Sequence, residues 1–134
     1  MPLVTWKAEY ELGLPRMDDT HREFIDELNR LDATPNEEFL AGLDRLIEHT
    51  VAHFEQENRW IEASGIEEAP CHQDMHDEIL GIARYVRGKV ADGDFAIGRK
   101  LIAELVPWFD IHAATMDAAL AKWIGETGFD IDKG

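Results

Sequence analysis

The chain has 134 residues, 13 basic against 28 acidic, for a formal net charge of −15. That length suits one domain with a core that closes without staples, and the charge repels phosphate backbones and anionic lipid, which excludes nucleic acid as an expected partner. No apolar run is long enough to span a bilayer, the opening Met1-Pro2-Leu3-Val4-Thr5-Trp6 lacks the basic region and apolar core of a signal peptide, and the single Cys71 excludes an internal disulfide, so a monomeric cytoplasmic protein with no membrane insertion is the expectation.

Residues 1–17 carry Trp6, Tyr10 and Leu12 among Gly13 and Pro15 with no sustained periodicity, and read as an ordered arm that packs its aromatics onto the body. Asp18 and Asp19 are suited to cap a first helix at about 18–32, with Phe24, Ile25, Leu28 and Leu31 as its apolar stripe. Thr34-Pro35-Asn36-Glu37 combines a capping Thr, Pro at the first helical position and Glu three residues after the cap. It starts a second helix at about 36–63, whose stripe of Phe39, Leu43, Leu46, Ile47, Phe54 and Ile61 is stopped by Ser64-Gly65. Pro70 opens a third helix, 70–91, which runs to the Asp92-Gly93-Asp94 turn. A fourth, 95–124, carries Leu101, Ile102, Leu105, Phe109 and Leu120 as its apolar stripe but contains Pro107, and an interior proline removes a hydrogen bond and crowds the carbonyl four residues back, so a kink or break is expected between Ala103 and Pro107. Four helices with short connections and no convincing strand predict an all-α fold, an antiparallel up-down-up-down four-helix bundle with an N-terminal arm, as one domain over 1–134.

The chemistry lies in the histidines. His53 and Glu57 are one helical turn apart, where side chains at i and i+4 stand about 5–6 Å from each other and can converge on one metal ion. His72 and His76 repeat that spacing on the third helix, His21 sits in the first turn of the first, and His112 and Asp117 lie on the fourth. The last two are five residues apart, about 140° round an ideal helix, so they should converge less tightly. Any one of these residues taken alone is an ordinary core or surface side chain. Together, five imidazoles and two carboxylates on four helices are too many for one ion, whereas two octahedral ions bridged by both carboxylates use all seven. An imidazole-rich, thiolate-free set with hard oxygens suits iron, manganese or zinc, with iron preferred. His49, one turn before His53, reads as a surface or outer partner, and Cys71 as a small, partly buried residue at a helix start.

With these residues in order, the chain resembles the hemerythrins, and in particular the single-domain bacterial members. The likeness runs through Trp6, Tyr10 and Gly13, Met17-Asp18-Asp19-Thr20-His21, His53-Phe54-Glu55-Gln56-Glu57, His72-Gln73-Asp74-Met75-His76, and His112 with Asp117. It implies a non-haem di-iron site that binds O2 reversibly, with His72, His76 and His112 on one iron, His21 and His53 on the other, Glu57 and Asp117 bridging, and an open position for O2 on the second iron. Thr20, Asn58 and Pro107 depart from the usual pattern of the family. The expected function is oxygen storage, transport or delivery without substrate turnover, to a protein acceptor not identified by sequence. The alternatives are an O2 or redox sensor module and a di-iron oxidase or peroxide-handling enzyme, the latter normally richer in carboxylates than this set. Phe24, Phe54, Ile79 and Trp108 are candidates for an apolar lining, and Trp6, Trp60 and Trp123 are read as core by default.

Overall fold

The structure, a computed structural model, describes residues 3–67 and 69–131; the first two residues of the expected arm and residues 132–134 lie outside it, as do the side chains of Ala69 and Pro70. A 3₁₀ turn at Ala8–Tyr10 precedes α1 (Pro15–Asp32), α2 (Asn36–Ser64), α3 (Ala69–Ala91) and α4 (Phe95–His112). A π-helical segment, Ala113–Asp117, then joins α4 to α5 (Ala118–Thr127), so the last three elements make one long rod. The packed pairs are α1 with α2, α2 with α3, α3 with α4 and α4 with α1, the cyclic order of an up-down-up-down bundle. No strand occurs among the described residues.

Apolar side chains collect on either side of a polar middle layer. One cluster, which includes Phe39, Leu43, Leu46, Val90, Leu101 and Ile102, fills the end near the α1–α2 and α3–α4 turns. Another, built from Met17, Trp60, Ile61, Leu120 and Ile124, fills the opposite end. Close approach in the first cluster depends on Gly98, where an added Cβ would stand 2.6 Å from the Phe39 ring and 2.7 Å from Val90. Arg99 closes the α1–α2 turn by donating to the carbonyls of Asp32 and Thr34. At the other end Gly65 takes φ 74°, left-handed backbone that glycine adopts without strain, and ends α2.

Three local expectations are corrected. The first helix opens at Pro15 with Leu14 before it, and Asp18 is no cap: it is buried inside the first turn, accepting from the backbone N–H of Leu12 at 2.8 Å and of Gly13 at 3.2 Å. Proline at the first position has no N–H to leave orphaned, which frees Asp18 to hold the arm instead. Thr34 likewise turns back to the Arg30 carbonyl at 2.7 Å, and α2 starts after Pro35 with no side-chain cap. The last helix also continues through Pro107 without a break, its core residues Leu101, Ile102, Leu105 and Phe109 lying on both sides of the proline. Regularity fails later, in the π segment.

The arm is fixed by polar contacts as well as rings. The Val4 backbone exchanges two hydrogen bonds with the Asn29 side chain, at 2.9 and 2.8 Å, as a strand partner would. Two tryptophans close the far end of the bundle, Trp123 donating to the Ser64 carbonyl and Trp60, fully buried, to that of Ile131.

Candidate metal centre

All seven sequence-predicted site residues meet in the middle layer, and all are buried. α1 brings His21, α2 brings His53 and Glu57, α3 brings His72 and His76, and the long last rod brings His112 and Asp117. On a regular α-helix His112 and Asp117 would diverge by about 140°. The π segment between them narrows that angle, because a ladder closed from i to i+5 has more residues per turn and brings residues five apart toward one side; His112 Nε2 lies 3.2 Å from Asp117 Oδ1.

The two carboxylates divide their oxygens between two groups of imidazoles. Glu57 Oε2 lies 2.7 Å from His53 Nε2 and 3.3 Å from His21 Nε2, while Oε1 lies 3.3 Å from His76 Nε2 and 3.7 Å from His72 Nε2. Asp117 does the same: Oδ1 is 3.1 Å from His72 Nε2 and 3.2 Å from His112 Nε2, and Oδ2 is 3.1 Å from His21 Nε2. Each carboxylate therefore spans from a three-imidazole group, His72, His76 and His112, to a two-imidazole group, His21 and His53.

This arrangement is unfavourable for a protein alone and suits a cation. His76 Nδ1 donates to Asn58 Oδ1 at 3.0 Å, which leaves a lone pair on its Nε2. That lone pair faces His112 Nε2 at 3.2 Å and an oxygen of Glu57, and His72 Nε2 stands 3.3 Å from His112 Nε2. Glu57 Oε1 and Asp117 Oδ2 are buried with no hydrogen-bond donor in good geometry. Donor atoms with lone pairs aimed at one small volume fit a bound metal. Asn58 is a residue that sequence reading notes only as a departure from a family pattern; its place directly after Glu57 is the available signal.

Electrostatics agree. Burial penalises the charged form of both carboxyls, and the Asp117 charge acts the same way on Glu57, yet the surrounding imidazoles hold both well below the usual carboxylate range. Burial also works against a charged His21, but Asp117 and Glu57 outweigh it and carry its pKa up to about 10. His112 is raised in the same way, with burial opposed by Asp117, whereas burial wins at His76 and lowers it. Both upward shifts favour a proton that offsets the buried negative charge.

Aromatic rings wall the layer. Phe54 stacks on His76 at 3.9 Å between centroids, Trp108 stacks on His112 at 4.6 Å, and Phe109 meets His21 edge-on at 5.1 Å. Phe109 is a contact that sequence reading assigns only to the apolar stripe, although it lies three residues before His112. The expected lining residues Phe24, Phe54, Ile79 and Trp108 surround, with Leu43, Leu46 and Leu105 among others, an apolar cavity of about 20 Å³. Thr50 brings a hydroxyl to its wall, already given to the Leu46 carbonyl at 2.8 Å. His49 stays outside, bonded to Glu23 at 3.1 Å across α1 and α2. Cys71 is exposed.

Four helices that converge two carboxylates and five imidazoles in a buried layer define a helical bundle with a cluster able to hold metal. Residues 12–124 match the hemerythrin HHE cation binding domain, and the chain belongs to that family. It is 38% identical over 130 residues to a bacteriohemerythrin of Ralstonia nicotianae, covering 97% of this chain and 95% of that one. A bacteriohemerythrin of Methylococcus capsulatus is 28% identical over 122 residues, covering 87% and 93%. A crystal structure of a wild-type hemerythrin superposes with a TM-score of 0.84 at 25% identity, covering 91% of this chain and 98% of that one. Among the described residues no helix is long and apolar enough to cross a membrane.

Proposed function

We propose that this chain is a reversible O2 carrier, not an enzyme, and that it holds two irons, one by His72, His76 and His112, the other by His21 and His53, with Glu57 and Asp117 bridging. The observation that supports two ions is the division of both carboxylates, one oxygen toward each imidazole group. Bound iron supplies the electrons that reversible O2 binding needs, which side chains do not supply. The chain's own residues set the rest. Counting one oxygen of each carboxylate per side, three imidazoles and two oxygens would face one ion and two imidazoles and two oxygens the other, so the His21–His53 side would keep one more open position than its neighbour. Phe24, Phe54 and Phe109, packed on His53 and His21, keep water from that side. The small apolar cavity behind them admits a diatomic gas more readily than water, since the hydroxyl in its wall is already bonded.

Storage, transport and delivery are all consistent with such a site, and a cytoplasmic monomer is the setting we assign to it. The test is iron analysis combined with absorption spectroscopy through cycles of O2 addition and removal. Two irons per chain and a band that appears and disappears with O2 are expected. One zinc and no iron after growth in iron-replete medium would overturn the reading.

A further inference from the structure

The arm carries a row of rings that leads from the surface to the donor cluster. Trp6, half-buried, lies under the Arg22 guanidinium at 4.4 Å and meets Tyr10 at 5.4 Å between centroids. Tyr10 is 2% exposed, packs on Phe109 at 5.0 Å, and Phe109 meets His21 at 5.1 Å. The Tyr10 hydroxyl donates to Asp110, whose other oxygen pairs with Lys7 at 3.4 Å. Packing needs only the ring. A phenol that gives up an electron also becomes a strong acid, and a carboxylate already bonded to it is the group that oxidation at neutral pH requires.

We propose that Trp6 and Tyr10 form a redox port through which a one-electron oxidant in solution, such as a peroxyl radical, draws an electron from the buried centre. Trp6 gives one electron to the oxidant, which becomes the peroxide anion and takes a proton from water. The indole radical cation takes an electron from Tyr10, and the phenol proton crosses to Asp110. Tyr10 then regains an electron across Phe109 and His21, and the proton returns. In sum one oxidant gains one electron, one iron(II) becomes iron(III), and no covalent bond of the chain changes. Phe109 bridges without being oxidised, because electron tunnelling through a packed ring needs no radical on it. Burial first, then the bond and charge of Asp110, push the ionisation of Tyr10 upward, so the phenol keeps its proton until an electron leaves. Only the innermost step rests on the two-iron reading.

The chain has two tyrosines, and the other, Tyr85, is 62% exposed, so the experiment uses Tyr85→Phe protein in which Tyr10 is the last tyrosine. Zinc-loaded protein is oxidised by flash-generated tris(bipyridine)ruthenium(III) and followed by electron paramagnetic resonance and transient absorption. A tyrosyl radical is expected although the oxidant cannot touch Tyr10, and adding Trp6→Phe should cut its yield several-fold. Iron(II)-loaded protein should show a shorter-lived radical whose decay matches the rise of iron(III). Tryptophan radicals alone, or a yield indifferent to Trp6→Phe at unchanged helicity, would overturn the port. A radical lifetime equal with zinc and iron(II) would overturn its inner end. A chain that takes up zinc and refuses iron would sink the O2 reading while leaving the zinc measurements intact.

Discussion

The two halves of the donor layer are built differently. The half with His72, His76 and His112 has three imidazole nitrogens within 3.3 Å of one another by way of His112, a neutral tautomer fixed by Asn58, and flat rings stacked on two of its members. The half with His21 and His53 has one imidazole fewer, and the rings near it, Phe24 and Phe109, are tilted or edge-on. In the function proposed above, the first half offers one imidazole more and holds its ion, and the second, with fewer donors, exchanges a ligand. The two carboxylates face both halves, so changing one of them should do more damage than changing any single imidazole.

Replacing Glu57 by Ala removes an oxygen from each half and leaves His53 without its 2.7 Å partner. Iron content should fall from two per chain to well below one, and elemental analysis checks it. Glu57→Gln, which keeps the shape, should show most of the same loss; full iron content in both variants would remove Glu57 from the site. His53→Ala strikes the two-imidazole half alone. Iron should fall to about one per chain and the O2-linked band should vanish, while the other half keeps its ion. A His53→Ala protein that retains the band would reverse the assignment of the halves.

How far this asymmetry is legible in the sequence depends on helix regularity. The i,i+4 pairs His53/Glu57 and His72/His76 lie on unbroken α-helix, where spacing alone fixes direction, and the structure converges them. His112 and Asp117 look poorly matched because the π segment has no composition signal in Ala113-Ala114-Thr115-Met116. Pro107, the residue that does carry a breaker signal, sits inside unbroken helix, since tertiary contacts on both sides outweigh its local penalty. Asp18 departs from expectation for a related reason: an acidic residue near a helix start suits a cap, but Pro15 starts the helix three residues earlier. The bundle follows from patterns shared by many residues, whereas these details rest on single backbone choices that packing decides.

The third expectation concerns both halves together and turns on pH. In metal-free protein the raised pKa of His21 contributes stability that is fully present below 6.5 and is lost as pH rises through about 10. The depressed Glu57 and Asp117 contribute stability present above the ordinary carboxylate range and lost as pH falls below it. Metal-free protein should thus melt at falling temperatures from pH 6.5 toward 10. Metal binding needs the His21 lone pair, so it releases that proton and tightens over the same window. A site at a thousandfold excess over Kd adds about 4 kcal/mol, on the order of 10 °C at this chain length. The gap in melting temperature between loaded and metal-free protein should widen from pH 6.5 to 9, measured by calorimetry. A narrowing gap would mean that His21 is not held by the metal.

The smallest effect is expected at His49, and it tests where the two-imidazole half ends. His49, His53 and Glu57 occupy successive turns of α2, each about 6 Å further along the axis. His53 bonds inward to Glu57, whereas His49 bonds outward to Glu23, an exposed carboxylate on α1. Exposed pairs of this kind contribute about 0–1 kcal/mol. His49→Ala should therefore shift the melting temperature by no more than a few degrees, with iron content and the O2-linked band intact. Its ring does approach that of His53, at 6.4 Å between centroids, so a modest change in O2 release rate is the largest effect the geometry allows. Loss of an iron in His49→Ala, with retention in His53→Ala, would show that the metal lies one turn nearer the α1–α2 connection than the carboxylates place it.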